Sequence, residues 1–230
     1  MTAPTMRLGG RSVGGVNPTY IIAEIGVNYE GDADICARMV EACAAAGGTV
    51  FEFTNRGDHA VEVFSAVEKY CRKSLPQVVL GVGSIVEECT AALLVAAGAN
   101  FVVSPSFNER VARFCNRRKV PYLPGCMTVT EIGVAEEAGV EIVKMFPCEA
   151  AGGPGFVKAV MGPSPWTRIL PTGVEDATPA AINEWFKAGA CALGLGRTLI
   201  DKKAVDSADY PAVGRRVAEV LAWVRQARKA

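Results

Sequence analysis

Histidine is almost missing from this chain: among 230 residues only His59 is present. A Ser-His-Asp or Cys-His mechanism would have to rest on that one side chain, and a histidine-rich metal site is excluded. Acid–base work therefore falls to carboxylates, lysine, tyrosine or water. Net charge is missing too, since 24 Lys plus Arg balance 24 Asp plus Glu. No bulk field then favours nucleic acid or an anionic membrane. The eight cysteines contain no Cys-x-x-Cys pair, which argues against a zinc or redox motif. Most sit in apolar segments, and no charged-then-apolar leader opens the chain, so the expectation is small core residues in a reducing cytoplasm. No apolar run approaches the roughly 18 residues a membrane span needs.

What is present is hydrophobic material, 50% of the residues, enough for one sizeable core. Short β-rich runs alternate with helical patterns about every 20 to 30 residues, the signature of repeated βα units. Strands are expected at Tyr20–Ile25, Val50–Thr54, Val78–Val82, Phe101–Ser104, Pro121–Leu123, Ile142–Phe146, Ile169–Pro171 and Cys191–Leu195. Helical stretches lie between them, and a last one near Pro211–Arg228 carries Val213, Val217, Leu221 and Val224 on one face. Several helices end in Ala-Gly just before the next strand, at Gly47, Gly98, Gly139 and Gly189, where glycine supplies a left-handed cap. The pattern fits a (β/α)₈ TIM barrel better than an open doubly wound sheet. The whole chain, 1–230, reads as one barrel domain, with 1–18 as an N-terminal extension.

Lys144 stands out because it interrupts the apolar run Glu141-Ile142-Val143-Lys144-Met145-Phe146-Pro147. Burial disfavours the ammonium form, and a neutral amine attacks ketones. The plain alternative is a lysine at a strand end whose stem snorkels to solvent. Strand alternation bears on this choice. Glu52 lies between Phe51 and Phe53 and shares a face with Val50 and Thr54; if the phenylalanines meet the helix layer, Glu52 points into the barrel. The same logic turns Lys144 inward with Ile142 and Phe146. A structural ion pair is the rival reading, costly in desolvation and of little net stability. Other polar or turn residues follow strand ends: Arg56, Ser84, Pro105, Thr172-Gly173 and Gly194-Leu195-Gly196-Arg197. The glycines after the last two strands suit phosphate binding through backbone N–H groups.

From about Gly48 to Ile200 the chain resembles the 2-keto-3-deoxy-6-phosphogluconate (KDPG) and 4-hydroxy-2-oxoglutarate (KHG) aldolases. The resemblance is carried by Val50-Phe51-Glu52-Phe53-Thr54-Asn55-Arg56, Gly81-Val82-Gly83-Ser84, Val103-Ser104-Pro105, Pro121-Tyr122-Leu123-Pro124-Gly125, Val143-Lys144-Met145-Phe146-Pro147 and Pro171-Thr172-Gly173. It implies a class I aldolase that needs no cofactor and no metal, with Lys144 as the Schiff-base lysine and Glu52 as the acid–base residue. It further implies that Arg56 and Ser84 hold the carboxylate of a 2-keto acid, that Phe146 and Pro105 line the pocket, and that Thr172 and Gly173 approach the distal end. Homotrimeric assembly is implied as well. The expected reaction is cleavage of KDPG to pyruvate and glyceraldehyde 3-phosphate. The alternatives are KHG or an unphosphorylated 2-keto-3-deoxy acid as substrate, or a barrel kept as a low-activity scaffold.

The chain departs from the family pattern at three places. Val174 follows Thr172-Gly173 where a second glycine is usual, and would crowd a phosphate. Arg197 stands where a serine is common, either binding phosphate bidentately or pointing to solvent. The opening Ile22-Ala23-Glu24-Ile25-Gly26-Val27-Asn28-Tyr29-Glu30-Gly31 is more similar to sialic-acid-synthase-type barrels, which leaves the roles of Glu24, Asn28 and Tyr29 open.

Overall fold

Most helix starts carry a side-chain cap, and that local punctuation helps set the alternation. Asp32 caps the first long helix by accepting from the N–H groups of Asp34 and Ile35. Thr128 and Glu131 form a reciprocal capping box, satisfying two N–H groups that the helix cannot. The computed structural model describes residues 21–26 and 29–228, with the backbone of 6–8 and 11–13. Tyr20, Asn28 and most of the expected extension 1–18 lie outside the described residues.

The chain opens on an antiparallel hairpin, β1 (Met6–Leu8) with β2 (Arg11–Val13), which the sequence reading did not separate from the extension. Then come β3 (Ile21–Gly26), α1 (Ala33–Ala45), β4 (Val50–Thr54), α2 (Ala60–Ser74), β5 (Val79–Gly83), α3 (Glu88–Ala96), β6 (Val102–Ser104) and α4 (Glu109–Arg118). They are followed by β7 (Tyr122–Cys126), α5 (Val129–Glu137), β8 (Val143–Met145), α6 (Gly153–Met161), β9 (Ile169–Pro171), α7 (Pro179–Ala188) and β10 (Leu193–Leu195). A short α8 (Lys202–Asp206), also not expected, precedes α9 (Tyr210–Ala227). The strands β3 to β10 are parallel in the order β10-β3-β4-β5-β6-β7-β8-β9. A parallel bridge between Thr172 and Gly194 joins the two ends. This is a (β/α)₈ TIM barrel in a single domain.

Two apolar layers hold it. Ile22, Val50, Val79, Phe101, Val103, Leu123, Ile142, Leu170 and Ala192 fill the barrel interior as one cluster. Phe51, Phe53, Val143 and Met145 belong to the outer cluster between strands and helices. The inward direction expected for Val50 and Ile142, and therefore for Glu52 and Lys144, follows from that partition. Fully burying a phenylalanine such as Phe51 or Phe53, both 0% exposed, contributes about 1.5–3 kcal/mol. The ring of helices closes where α9 packs on α1 and α7. Its buried stripe is Val213, Val217, Val220 and Val224, so Val220 takes the place expected for Leu221, which is half-buried. Cys36, Cys43, Cys71, Cys115, Cys126 and Cys148 are free and buried, as small core residues should be. Among the described residues no helix is long and apolar enough to cross a membrane.

Candidate active site

A cavity of about 830 Å³ opens at the C-terminal ends of the strands, the end where barrels of this kind carry their sites. Its wall includes Glu24 from β3, Glu52 and Thr54 from β4, Asn55 and Arg56 beyond β4, and Ser84 and Val86 beyond β5. Ile25, Gly26, Pro105, Lys144, Phe146, Gly196 and Arg197 complete it. Seven of the residues singled out from sequence thus meet in one space: Lys144, Glu52, Arg56, Ser84, Pro105, Phe146 and Arg197.

Two others stay outside the wall. Thr172 is 1% exposed and its hydroxyl has no hydrogen-bond partner. Gly173 backs onto the ring of Phe146, which a Cβ there would approach to 3.8 Å. Val174 does not project into the cavity; it is buried in the outer core cluster. Arg197 is exposed at the rim and pairs with Glu175 at 3.5 Å. His59 heads α2 in a left-handed backbone conformation and is not part of the wall.

Lys144 is 6% exposed on β8. Its Nζ lies 4.9 Å from the centre of the Phe146 ring, over the face, and 4.0 Å from Glu24 Oε1. Glu24 is the residue whose part the sequence left open. Ile22 two residues earlier lies in the interior cluster, and period-two alternation puts Glu24 on the same face; the sequence carried the alternation but nothing that chose the face. Glu24 and Glu52 are register partners on adjacent strands, and immediately after them the ladder shifts between Glu24 and Gly26. Such a bulge re-aims the side chains beside it.

Missing side chains on neighbouring strands make room for both carboxylates. A Cβ on Gly83 would fall 1.7 Å from Glu52 Oε1, and one on Gly194 would fall 3.0 Å from Glu24 Oε1. Gly194 within β10 and Gly196 just beyond it, expected to cradle phosphate, therefore border the Glu24 carboxylate. Ser84 holds a positive φ of 61°, an unusual conformation for a non-glycine residue that often accompanies functional loops. Tyr29, buried and stacked on Phe53 at 4.9 Å, directs its hydroxyl at the carbonyls of Thr54 (3.0 Å) and Arg56 (3.2 Å). It thereby pins the loop that presents Arg56.

The electrostatics follow from burial. Removal from water pushes the Glu52 carboxyl above its ordinary range, against the pull of Lys144 and Arg56. Glu24 is raised to about 7, first by burial and then by the Glu52 charge, with Lys144 and Arg56 opposing. One amine and two carboxyl groups, in a space where both carboxylates cannot ionise cheaply, are suited to forming an imine with a ketone and moving its protons.

The model of the KDPG and KHG aldolases matches residues 17–216. The chain belongs to this family. The family's 2-dehydro-3-deoxy-phosphogluconate aldolase from Pseudomonas aeruginosa is 32% identical over 195 residues, 85% of this chain and 86% of that protein. A solved KDPG aldolase from Legionella pneumophila, with pyruvate captured as a covalent carbinolamine, superposes with a TM-score of 0.78 at 22% identity. That match covers 88% of this chain and 94% of the other. The sialic acid synthetase of Leptospira borgpetersenii shares the fold at a TM-score of 0.73 and 16% identity, covering 99% of this chain and 90% of its own. The likeness noted in the opening strand thus extends to the barrel as a whole, while sequence kinship lies with the aldolases.

Proposed function

We propose that the protein is a class I aldolase that cleaves 2-keto-3-deoxy-6-phosphogluconate to pyruvate and glyceraldehyde 3-phosphate. The observation that carries this reading is Lys144 itself, a buried amine facing two raised carboxyl groups at the floor of an open cavity. The Lys144 amine adds to the C2 ketone, and loss of water leaves a protonated imine. Glu52 takes the proton from the C4 hydroxyl as the C3–C4 bond breaks, and the bond's electrons pass into an enamine instead of a free carbanion. Glu52 then returns the proton to C3, and hydrolysis frees pyruvate. Arg56 and Ser84 are assigned to the substrate carboxylate, with Phe146 and Pro105 as apolar walls. Thr172 and Gly173 act from behind Phe146 and the Thr172–Gly194 bridge, and Arg197 serves the distal end.

Pyruvate with borohydride is the decisive test: the adduct mass must appear irreversibly on the peptide carrying Lys144. Its absence there would remove the Schiff-base reading. A second substrate has a specific observation in its favour. Arg197 is already paired with Glu175 at the rim, and Thr172 and Gly173 are outside the wall, which suits an unphosphorylated or short 2-keto acid such as KHG. Comparing kcat/KM for KDPG and KHG separates the two. Homotrimeric assembly belongs to the same reading. It is supported by exposed apolar side chains on α3 and α5, among them Leu93 at 53%, Val129 at 57% and Val134 at 46%. The free thiols suit a cytoplasmic setting.

A further inference from the structure

The mechanism above leaves one buried group unemployed. Glu24 Oε1 is buried without a hydrogen-bond partner and lies 4.0 Å from Lys144 Nζ. Its side chain keeps 19% exposure and lines the cavity, and Gly194 and Gly196 leave the space it occupies. An apolar residue here would avoid the cost of burying a carboxyl oxygen that has no hydrogen-bond partner. The irregularity directly after Glu24, before pairing resumes at Gly26 and Phe53, shifts the strand register at the point where the side chain enters the site.

We infer that Glu24 is a second catalytic carboxyl group, which handles the water leaving and re-entering at the Lys144 carbinolamine while Glu52 handles the carbon–carbon bond. This rests on the aldolase reading and deepens it. The proton balance closes. Attack by the neutral Lys144 amine on C2 forms the C–N bond, and the amine proton passes to the former ketone oxygen, giving a carbinolamine. Glu24, protonated, donates to that hydroxyl; the C–O bond breaks, water leaves, and the cationic imine remains beside the Glu24 carboxylate that has just formed. After C–C cleavage and protonation at C3 by Glu52, water adds to the imine carbon and Glu24 takes the proton back. Collapse of the second carbinolamine releases pyruvate and restores both Lys144 and Glu24.

Two further observations agree with this division. Glu24 is raised to about 7, so both of its protonation states are accessible near neutrality, as a group that donates and then accepts requires. The charged and titratable groups facing it are Glu52 on β4, Lys144 on β8, Arg56 beyond β4 and the Cys148 thiol beyond β8. Only Lys144 of these is within ion-pair distance.

The test is the rate at which pyruvate makes Lys144 trappable by borohydride, measured by rapid quench from pH 5 to 9. In the unaltered protein that rate should fall as pH rises through about 7, because the proton donor is lost. Glu24→Gln should slow trapping by about 10²-fold or more and abolish that pH limb, and Glu24→Asp should restore the limb in part. Circular dichroism establishes that each variant is folded. A Glu24→Gln protein that traps pyruvate at the original rate with the original limb overturns the assignment while leaving the aldolase reading intact. Failure of the unaltered protein to trap at Lys144 overturns the aldolase reading, and the role of Glu24 with it.

Discussion

The barrel interior is built from one set of inward-facing positions, yet its two ends differ in chemistry. Toward the N-terminal ends of the strands the inward residues are Ile22, Val50, Val79, Phe101, Ile142 and their neighbours, a continuous apolar plug. Two residues further along the same strands the positions become Glu24, Glu52 and Lys144. Backbone, alternation and burial are shared between the levels. The plug fills the barrel below the charged level, and burial dominates the proton affinities of Glu24 and Glu52. The apolar level thus does more than stabilise, since it sets the dielectric in which the amine and carboxyls act.

If the two levels divide labour this way, damage to each should read out differently. The largest expected effect is at the charged level. Glu52→Gln should lower kcat by roughly 10²–10⁴-fold while pyruvate still becomes trapped on Lys144 and the thermal midpoint does not fall. The isosteric change leaves Gly83 and Lys144 their neighbour but removes its proton. Undiminished turnover would strike Glu52 from the chemistry and break the contrast at its centre.

The apolar level should show the converse. Phe101 is 0% exposed, and its ring fills the space above Gly81, where a Cβ would come within 2.4 Å of it. Phe101→Ala should cost about 3–5 kcal/mol, a midpoint lower by about 6–20 °C in a chain of this size. Well below that midpoint, borohydride trapping at Lys144 should persist. A variant that stayed stable but lost trapping would mean that the plug tunes the site by contact, and the division into levels would fail.

The contrast also explains what could be read from residues alone. The barrel was legible because apolar strand runs recur eightfold and four helices end in Ala-Gly, where Gly47, Gly98, Gly139 and Gly189 do take positive φ values. Lys144 and Glu52 were legible because each is a charge flanked by apolar residues that fix its direction. The hairpin β1–β2 was not, because two three-residue strands carry too little periodicity. Glu24 carried the same signal as Glu52, but without flanking aromatics to choose the outer face, the direction of its strand stayed open. The spatial meaning of Gly194 and Gly196 was hidden because a glycine that makes room for a carboxylate on the next strand reads, in sequence, like one that cradles phosphate.

The smallest expected effect tests whether the charged level is held at a cost. Glu24 moves from the ordinary glutamate value of 4.5 to about 7 on folding, so between those values the folded chain holds more protons than the unfolded one. Stability must then fall as pH rises through that window. Below 4.5 both states are protonated and the penalty is absent; above 7 both are ionised and it is complete, on the order of 3 kcal/mol. Glutamine keeps the shape and never ionises, so Glu24→Gln should unfold in urea at concentrations close to those of the unaltered protein at pH 4.5 and at higher ones at pH 8. The Glu52 charge adds to the Glu24 shift and Lys144 opposes it, so the difference at pH 8 reports Glu24 together with these two neighbours. Equal urea midpoints at pH 8 would mean that the Lys144 charge offsets the desolvation of Glu24 in full, and the charged level would then be no less stable than the apolar one beneath it.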